Sequence, residues 1–163
     1  DPGSSMNVGF HQGVLHEVDY ILVVCEPDMT SIADVKEGVH KTVIPRIGIN
    51  QERFGLVINK WQDDLGVSLQ EAANFAKVSA IGILPLDTTG NVTRAGNEGI
   101  SYIAKYANER KNPAQTEATM NGIAELAAQF YPPIGAAWSE RMKNGRVKRG
   151  LGILGGKRIK PQA

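Results

Sequence analysis

The sequence predicts an α/β protein: a three-layer arrangement with a mostly parallel sheet and helices on both faces, followed by C-terminal helices and a basic tail. Two observations predict it. Three short stretches, Tyr20–Cys25, Phe54–Asn59 and Ser79–Leu84, are apolar at successive positions rather than alternating. That is the pattern of strands covered on both faces in a parallel sheet. Helical periodicities separate them, and a strand–helix–strand–helix–strand order joins parallel strands by right-handed crossovers.

Residues 1–18 supply one helix at most. The first strand follows Asp19. Thr30 or Ser31 then caps a helix to about Thr42, with Ile32, Val35, Val39 and Val43 at three- and four-residue spacing and Asp34 in the first turn. The second strand follows, and Ser68 caps Leu69–Lys77 with Glu71 completing a capping box. Pro85 closes the third strand. A loop after Asp87 leads to a short helix near Val92–Asn97 and another over Ile100–Glu109. Asn112-Pro113 opens a longer helix to Phe130, with Ala114, Ala118, Ile123, Ala127 and Phe130 on one face. Tyr131-Pro132-Pro133 ends it, and the last 25 residues carry no regular period. Three strands form only a partial sheet, whose first strand exposes an edge or needs a neighbour. The sequence reading therefore expects a further segment before Asp1.

Composition narrows the function classes. The chain has 163 residues and one Cys, so neither a disulfide framework nor a multi-Cys metal site is available. No apolar run approaches the roughly 18–20 residues of a membrane span, and the first residues do not form a signal peptide. A soluble, cytoplasmic protein is the expectation. The charge, +1 overall, is unevenly placed. Ser139–Ala163 carries Arg141, Lys143, Arg146, Lys148, Arg149, Lys157, Arg158 and Lys160 against Glu140 alone, a net +7, while the remainder carries −6. An acidic body with a basic appendage points to an anionic surface or partner.

Several landmarks occur in a fixed order: Asp1-Pro2-Gly3-Ser4-Ser5, Val18-Asp19-Tyr20-Ile21-Leu22-Val23-Val24, Glu26-Pro27-Asp28-Met29-Thr30-Ser31-Ile32, Leu56-Val57-Ile58-Asn59-Lys60, Ile81-Gly82-Ile83-Leu84-Pro85-Leu86-Asp87 and Val92-Thr93-Arg94-Ala95-Gly96-Asn97-Glu98-Gly99. Over roughly residues 1–105 this order resembles the C-terminal half of the MinD/ParA family of P-loop ATPases, including its pilus-assembly and flagellar-placement branches. The resemblance implies a partial P-loop NTPase fold. It divides the chain into half of a nucleotide-binding domain (1–110), a helical extension (111–138) and the basic Gly-rich tail (139–163). It implies ATP and Mg²⁺ as cofactors, with Asp1 serving the metal and a switch loop. The other reading of Asp1–Ser5 is a remnant of cloning.

By the same resemblance Asn59 reads the adenine edge, an amide offering both donor and acceptor. Lys60 completes the pair, Pro85 and Asp87 flank the base, and Arg94 lies near the nucleotide or a dimer interface. A turn-forming role for Pro85, a surface role for Arg94 and a strand-end role for Asn59 are the structural alternatives. Asp28 and Thr30 read more simply as helix caps.

The departures are as informative. The chain contains no Walker A loop; Gly155-Gly156-Lys157-Arg158 lacks the leading Gly, where Leu151 stands, and the Mg²⁺-binding Ser/Thr, where Arg158 stands. The chain alone is expected to be inactive as an ATPase, and no catalytic residue is assigned. His11, His16, His40 and Cys25 make no ligand spacing, Asp63-Asp64 reads as a solvated turn, and Cys25 reads as a buried filler.

Two functions remain open. One is part of an ATPase that dimerises on ATP to position or partition cargo such as a plasmid, chromosome, division site, flagellum or pilus. The other is a non-hydrolysing scaffold of the same fold. Lys143, Arg146, Lys148, Arg149, Lys157, Arg158 and Lys160 are the candidate contacts to anionic membrane, DNA or a protein adaptor, placing the protein in the cytoplasm or peripherally at membrane or nucleoid. Gly145, Gly150, Gly152, Gly155 and Gly156 disfavour a helix in that tail.

Overall fold

The structure is a computed structural model that describes residues 9–64, 66–107 and 114–144, with side chains for 12–64, 66–107 and 114–141. The predicted α/β class is observed. Strands β1 (Ile21–Cys25), β2 (Phe54–Trp61) and β3 (Ser79–Pro85) form a parallel sheet in the order β1-β2-β3. Each falls on a predicted apolar run. β2 is central, with Phe54, Gly55, Leu56, Val57 and Ile58 all buried, which is why that run cannot alternate.

Helix α1 (Gly9–Glu17) precedes β1. The Arg53 guanidinium donates to the carbonyls of Leu15, His16 and Asp19, tying the end of α1 to the start of β2. Helix α2 (Met29–Glu37) is capped by Asp28, as the cap reading of that residue expected, its carboxylate accepting from the Ser31 N–H at 2.9 Å; Thr30 and Ser31, the other cap candidates, lie inside the helix. That bond, with one from the Ser31 hydroxyl, holds the Asp28 carboxyl below its ordinary pKa.

The helix also runs further than its periodicity indicated. It widens into a π-helical turn (Gly38–Val43) and continues as α3 (Ile44–Ile47), ending at Gly48 with φ 73°. Pro45 explains the widening. Without an N–H it cannot hold the α ladder, and the Ile44 N–H reaches back five residues to the Val39 carbonyl. Within the widened turn His40 Nε2 lies 2.9 Å from the carbonyl of Ala76, the last residue of α4 (Leu69–Ala76).

Ser68 and Glu71 form the expected capping box of α4, and Lys77 ends it in the left-handed region. Ile32, Val35, Val39 and Ile47 meet Ala72, Ala73 and Ala76 over Cys25, Leu56 and Ile58, which makes the core on one face of the sheet. Burial raises the Cys25 thiol pKa and Asp28 adds to it, consistent with a filler rather than a nucleophile.

After β3 come two short helices, α5 (Asn91–Asn97) and α6 (Tyr102–Tyr106), and the long α7 (Ala114–Phe130). α7 covers the second face at β3. A Cβ placed on Gly82 would lie 3.4 Å from Leu126, and one on Gly122 3.2 Å from Pro85.

Residues 1–126 form one compact unit and 127–163 another. The second unit corrects the sequence reading. A further helix, α8, spans Pro132–Asn144, so helix continues past Tyr131 and runs into the first residues of the stretch from Ser139 that carries no regular sequence period. The two prolines that end α7 occupy the first turn of α8, where a missing N–H costs nothing. Gly135 allows α8 to approach Ala128, since a Cβ there would stand 2.8 Å from the alanine methyl.

Candidate functional site

The candidate site lies at the carboxyl ends of the three strands, where ligands bind in open parallel sheets. β2 delivers Asn59 and Lys60 and β3 delivers Pro85. The two ends are joined: Trp61 pairs with Pro85, and the Leu86 N–H donates to the Trp61 carbonyl at 2.9 Å.

Between Ile58 and Trp61 the β2–β3 register shifts, and Lys60 adopts φ 58°. A lysine in the left-handed region is uncommon and carries a local cost. Here it kinks β2 so that Trp61 rejoins β3 beyond Asn59. Lys60 is ion-paired with Glu26, at the end of β1, and both side chains are about half exposed. Such a pair contributes little stability. Its relevance is positional, since it places one cation and one carboxylate beside Asn59.

Asp87 organises the loop after β3. One carboxylate oxygen accepts from the Thr89 N–H at 3.0 Å and from the Thr89 hydroxyl, and the other accepts from the Val92 N–H at 2.6 Å. Burial acts to raise the Asp87 pKa, but donation from Thr89, Val92 and Asn91 outweighs it and leaves the group below its ordinary value. Asp87 therefore works as an anchor for the first turn of α5.

Arg94 donates to the Asn91 side-chain oxygen at 3.0 Å, and Asn91 Nδ2 donates to Thr116 Oγ1, also at 3.0 Å. Asn91 and Thr116 are buried, so their pairing satisfies groups that would otherwise be costly. Gln115 on α7 donates to the Leu86 carbonyl, fixing the same loop from the opposite side.

Asn59, Lys60, Pro85 and Asp87 thus share one end of the sheet, with Arg94 one helical turn beyond on α5. Asp1 lies outside the described residues, as do Arg146, Lys148, Arg149, Lys157, Arg158 and Lys160, and the Lys143 side chain is not described. Sequence reasoning did not assign Glu26 as the partner of Lys60, nor Thr89, Asn91, Gln115 and Thr116 as the frame of the loop. Asp87-Thr88-Thr89-Gly90-Asn91 carried a readable signal for part of this, an acidic residue bonding two positions on before a left-handed Gly90. Nothing local marks Thr116, 25 residues from Asn91.

A group whose pKa is depressed by folding stabilises the fold above its unfolded value, about 3.9, and loses that contribution as pH falls through the folded value. Asp87→Asn is expected to lower the urea midpoint at pH 7 and to flatten its decline between about pH 4 and 2 relative to the parent. An acid limb as steep as the parent's would remove the anchor assignment.

Asn59, Lys60 and the Leu86–Asp87 backbone place an amide, a cation and backbone groups at one end of the sheet, and the chain has no Gly-rich Lys-Ser/Thr loop for phosphates. Among the described residues no cluster of three or more His, Cys, Asp or Glu could hold a metal, and no helix is long and apolar enough to cross a membrane.

These features define a class: an α/β fold with a three-stranded parallel sheet and helices on both faces. Its structural neighbours include the MinD cell division protein of Aquifex aeolicus (18% identity, TM-score 0.53, covering 76% of this chain and 48% of that one). They also include a chain of the MinC:MinD cell division protein complex of Aquifex aeolicus (17% identity, TM-score 0.51, covering 76% of this chain and 47% of that one). The chain is therefore MinD-like in fold and spans about half the length of these neighbours. No family profile and no curated protein matches it.

Proposed function

We propose that this chain is the base-binding half of a MinD/ParA-type ATPase, which in its intact form dimerises on ATP to position or partition cellular cargo. The observation that carries the reading is the joined end of β2 and β3. Asn59, held at a kink, sits beside the Pro85-Leu86-Asp87 loop, which Trp61 and Gln115 fix through the two polar groups of Leu86. In this reading the Asn59 amide pairs with the adenine edge and the Leu86–Asp87 backbone borders the ring.

Lys60 supplies the nearby cation. Phosphates and Mg²⁺ require a P-loop, to which Asp1 would add its carboxylate, so this chain alone does not hydrolyse ATP. The MinC:MinD neighbour is a complex with another protein, and a protein adaptor is the partner we assign by that analogy. The basic residues after Ser139 provide an anionic-surface contact at membrane or nucleoid.

Titration with ATP and with GTP, followed by amide chemical shifts, tests the base site even at millimolar affinity. Shifts confined to residues 59–61 and 85–94 with ATP, absent with GTP and reduced about 3- to 10-fold in affinity by Asn59→Ala, are expected from loss of about one hydrogen bond. ATP-induced shifts elsewhere, or none at these residues, would exclude the assignment.

A further inference from the structure

The amino ends of β2 and β3, opposite the candidate site, border an open cavity of about 510 Å³. Asn50, Gln51, Glu52, Lys77, Val78 and Ser79 line it. The 3-10 turn that leads into β2 (Gln51–Arg53) makes one wall, and the link from α4 to β3 makes the other. Gln51 Nε2 donates to the Lys77 carbonyl at 2.7 Å and holds the two walls together. Val78 also packs on the core and supplies the apolar part of the lining.

Lys77 is the unusual member. Its φ of 56° ends α4 in the left-handed region, where helices ordinarily place Gly. Elsewhere among the described residues the chain follows that rule, with Gly48, Gly66, Gly90 and Gly99 at positive φ. The exceptions are two lysines, Lys60 at the candidate site and Lys77 at this cavity. Backbone outliers of this kind cluster at binding sites.

The charges here are also left open. The ion pairs of the described residues are Lys41–Glu37, Lys60–Glu26 and Lys105–Glu98, so Lys77 and Glu52 line one cavity without pairing. Both are exposed, and the Glu52 carboxylate accepts only a long bond of 3.4 Å from Asn50 Nδ2. A ligand with a single charge would be attracted by one of these groups and repelled by the other. One bearing both charges satisfies the pair: its carboxylate meets the Lys77 ammonium and the Ser79 hydroxyl, and its ammonium meets Glu52.

We propose that this cavity binds a zwitterion of the α-amino-acid class, either a free amino acid or a short peptide with both ends free. The site is independent of the nucleotide reading and lies at the other end of the sheet from it.

Amide chemical shifts of the full chain, titrated with alanine and with trialanine, test the assignment. Acetate and methylammonium, one charge each, are the controls. The expected result is a saturable shift at residues 50–52 and 77–79 with at least one zwitterion, about ten-fold tighter than either control, while residues 59–61 and 85–94 stay unmoved. Tighter binding of alanine identifies a free amino acid as the ligand, and tighter binding of trialanine a peptide. Lys77→Gly removes the cation and suits φ 56°, so it should weaken the zwitterion about ten-fold and yet raise the urea midpoint. No saturable shift, acetate or methylammonium binding as well as the zwitterions, or parental affinity in Lys77→Gly overturns the proposal.

Discussion

Phe54→Ala is expected to remove about 3–5 kcal/mol of stability, the ordinary range for deleting a fully buried ring. Phe54 is 1% exposed and heads the largest fully buried side chains among the described residues. It opens β2, pairs with Ile21 across the sheet and lies in the core with Ile32, Leu56 and Ile58. A domain of this size has about 5–15 kcal/mol in total, so the variant should lose at least about a fifth of its stability. Urea unfolding by circular dichroism measures the shift. Phe75→Ala is the matched control: Phe75 is 40% exposed, and its main contact is Lys36 Nζ, 4.2 Å from the ring centre. A control shift as large as that at Phe54 would refute the assignment of the core.

Gly55→Ala is the second large effect, and it acts by excess rather than deficit. A Cβ at Gly55 would lie 2.3 Å from Ile81 Cγ1, 2.6 Å from Tyr20 Oη and 2.8 Å from Tyr20 Cε1. Carbon atoms rest at about 3.5–4.0 Å, so Ile81 and Tyr20 must both move. The crowding has a backbone cause. The β2–β3 register shifts between Leu56 and Val57, with Ala80 opposite Leu56 and Gly82 opposite Val57. Ile81 is thus the extra residue, and its side chain lies over Gly55. A loss of about 1–3 kcal/mol is expected, larger for Gly55→Val. Adding Ile81→Ala should recover part of the deficit, a non-additivity that unfolding curves of the four variants measure. Strict additivity would show that the contact does not decide the cost.

The elements visible in the sequence were those whose signal is local. Three uninterrupted apolar runs became the three strands, and Ser68 with Glu71 marked the start of α4 because a capping box lies within four residues. The elements that escaped depend on alternatives a pattern cannot rank. Asp28, Thr30 and Ser31 can all cap, and the carboxylate prevails because it takes both the N–H and the hydroxyl of Ser31. Pro45 ordinarily ends a helix, yet a π turn carries the chain through it. Pro132 and Pro133 serve equally as stop and start, and α8 follows from the second role. Asn59, Lys60, Pro85 and Asp87 were singled out by their order along the chain, and the structure places them at one end of the sheet. The partners that hold them were not, since Gln115 and Thr116 reach the loop only through α7 packing on β3.

The β1-β2-β3 order bears on how the chain acquires its shape during synthesis. Strand neighbours in space are neighbours in time, so the sheet can grow in one direction as residues emerge. Among the described strands, Ile21–Cys25 has no partner until Phe54–Trp61 has been made, and the core that α2 and its π turn join is incomplete before then. β2 is therefore the commitment step of biogenesis. Of the three described strands, β1 is made first, and its outer rim is an edge that neither of the other two covers.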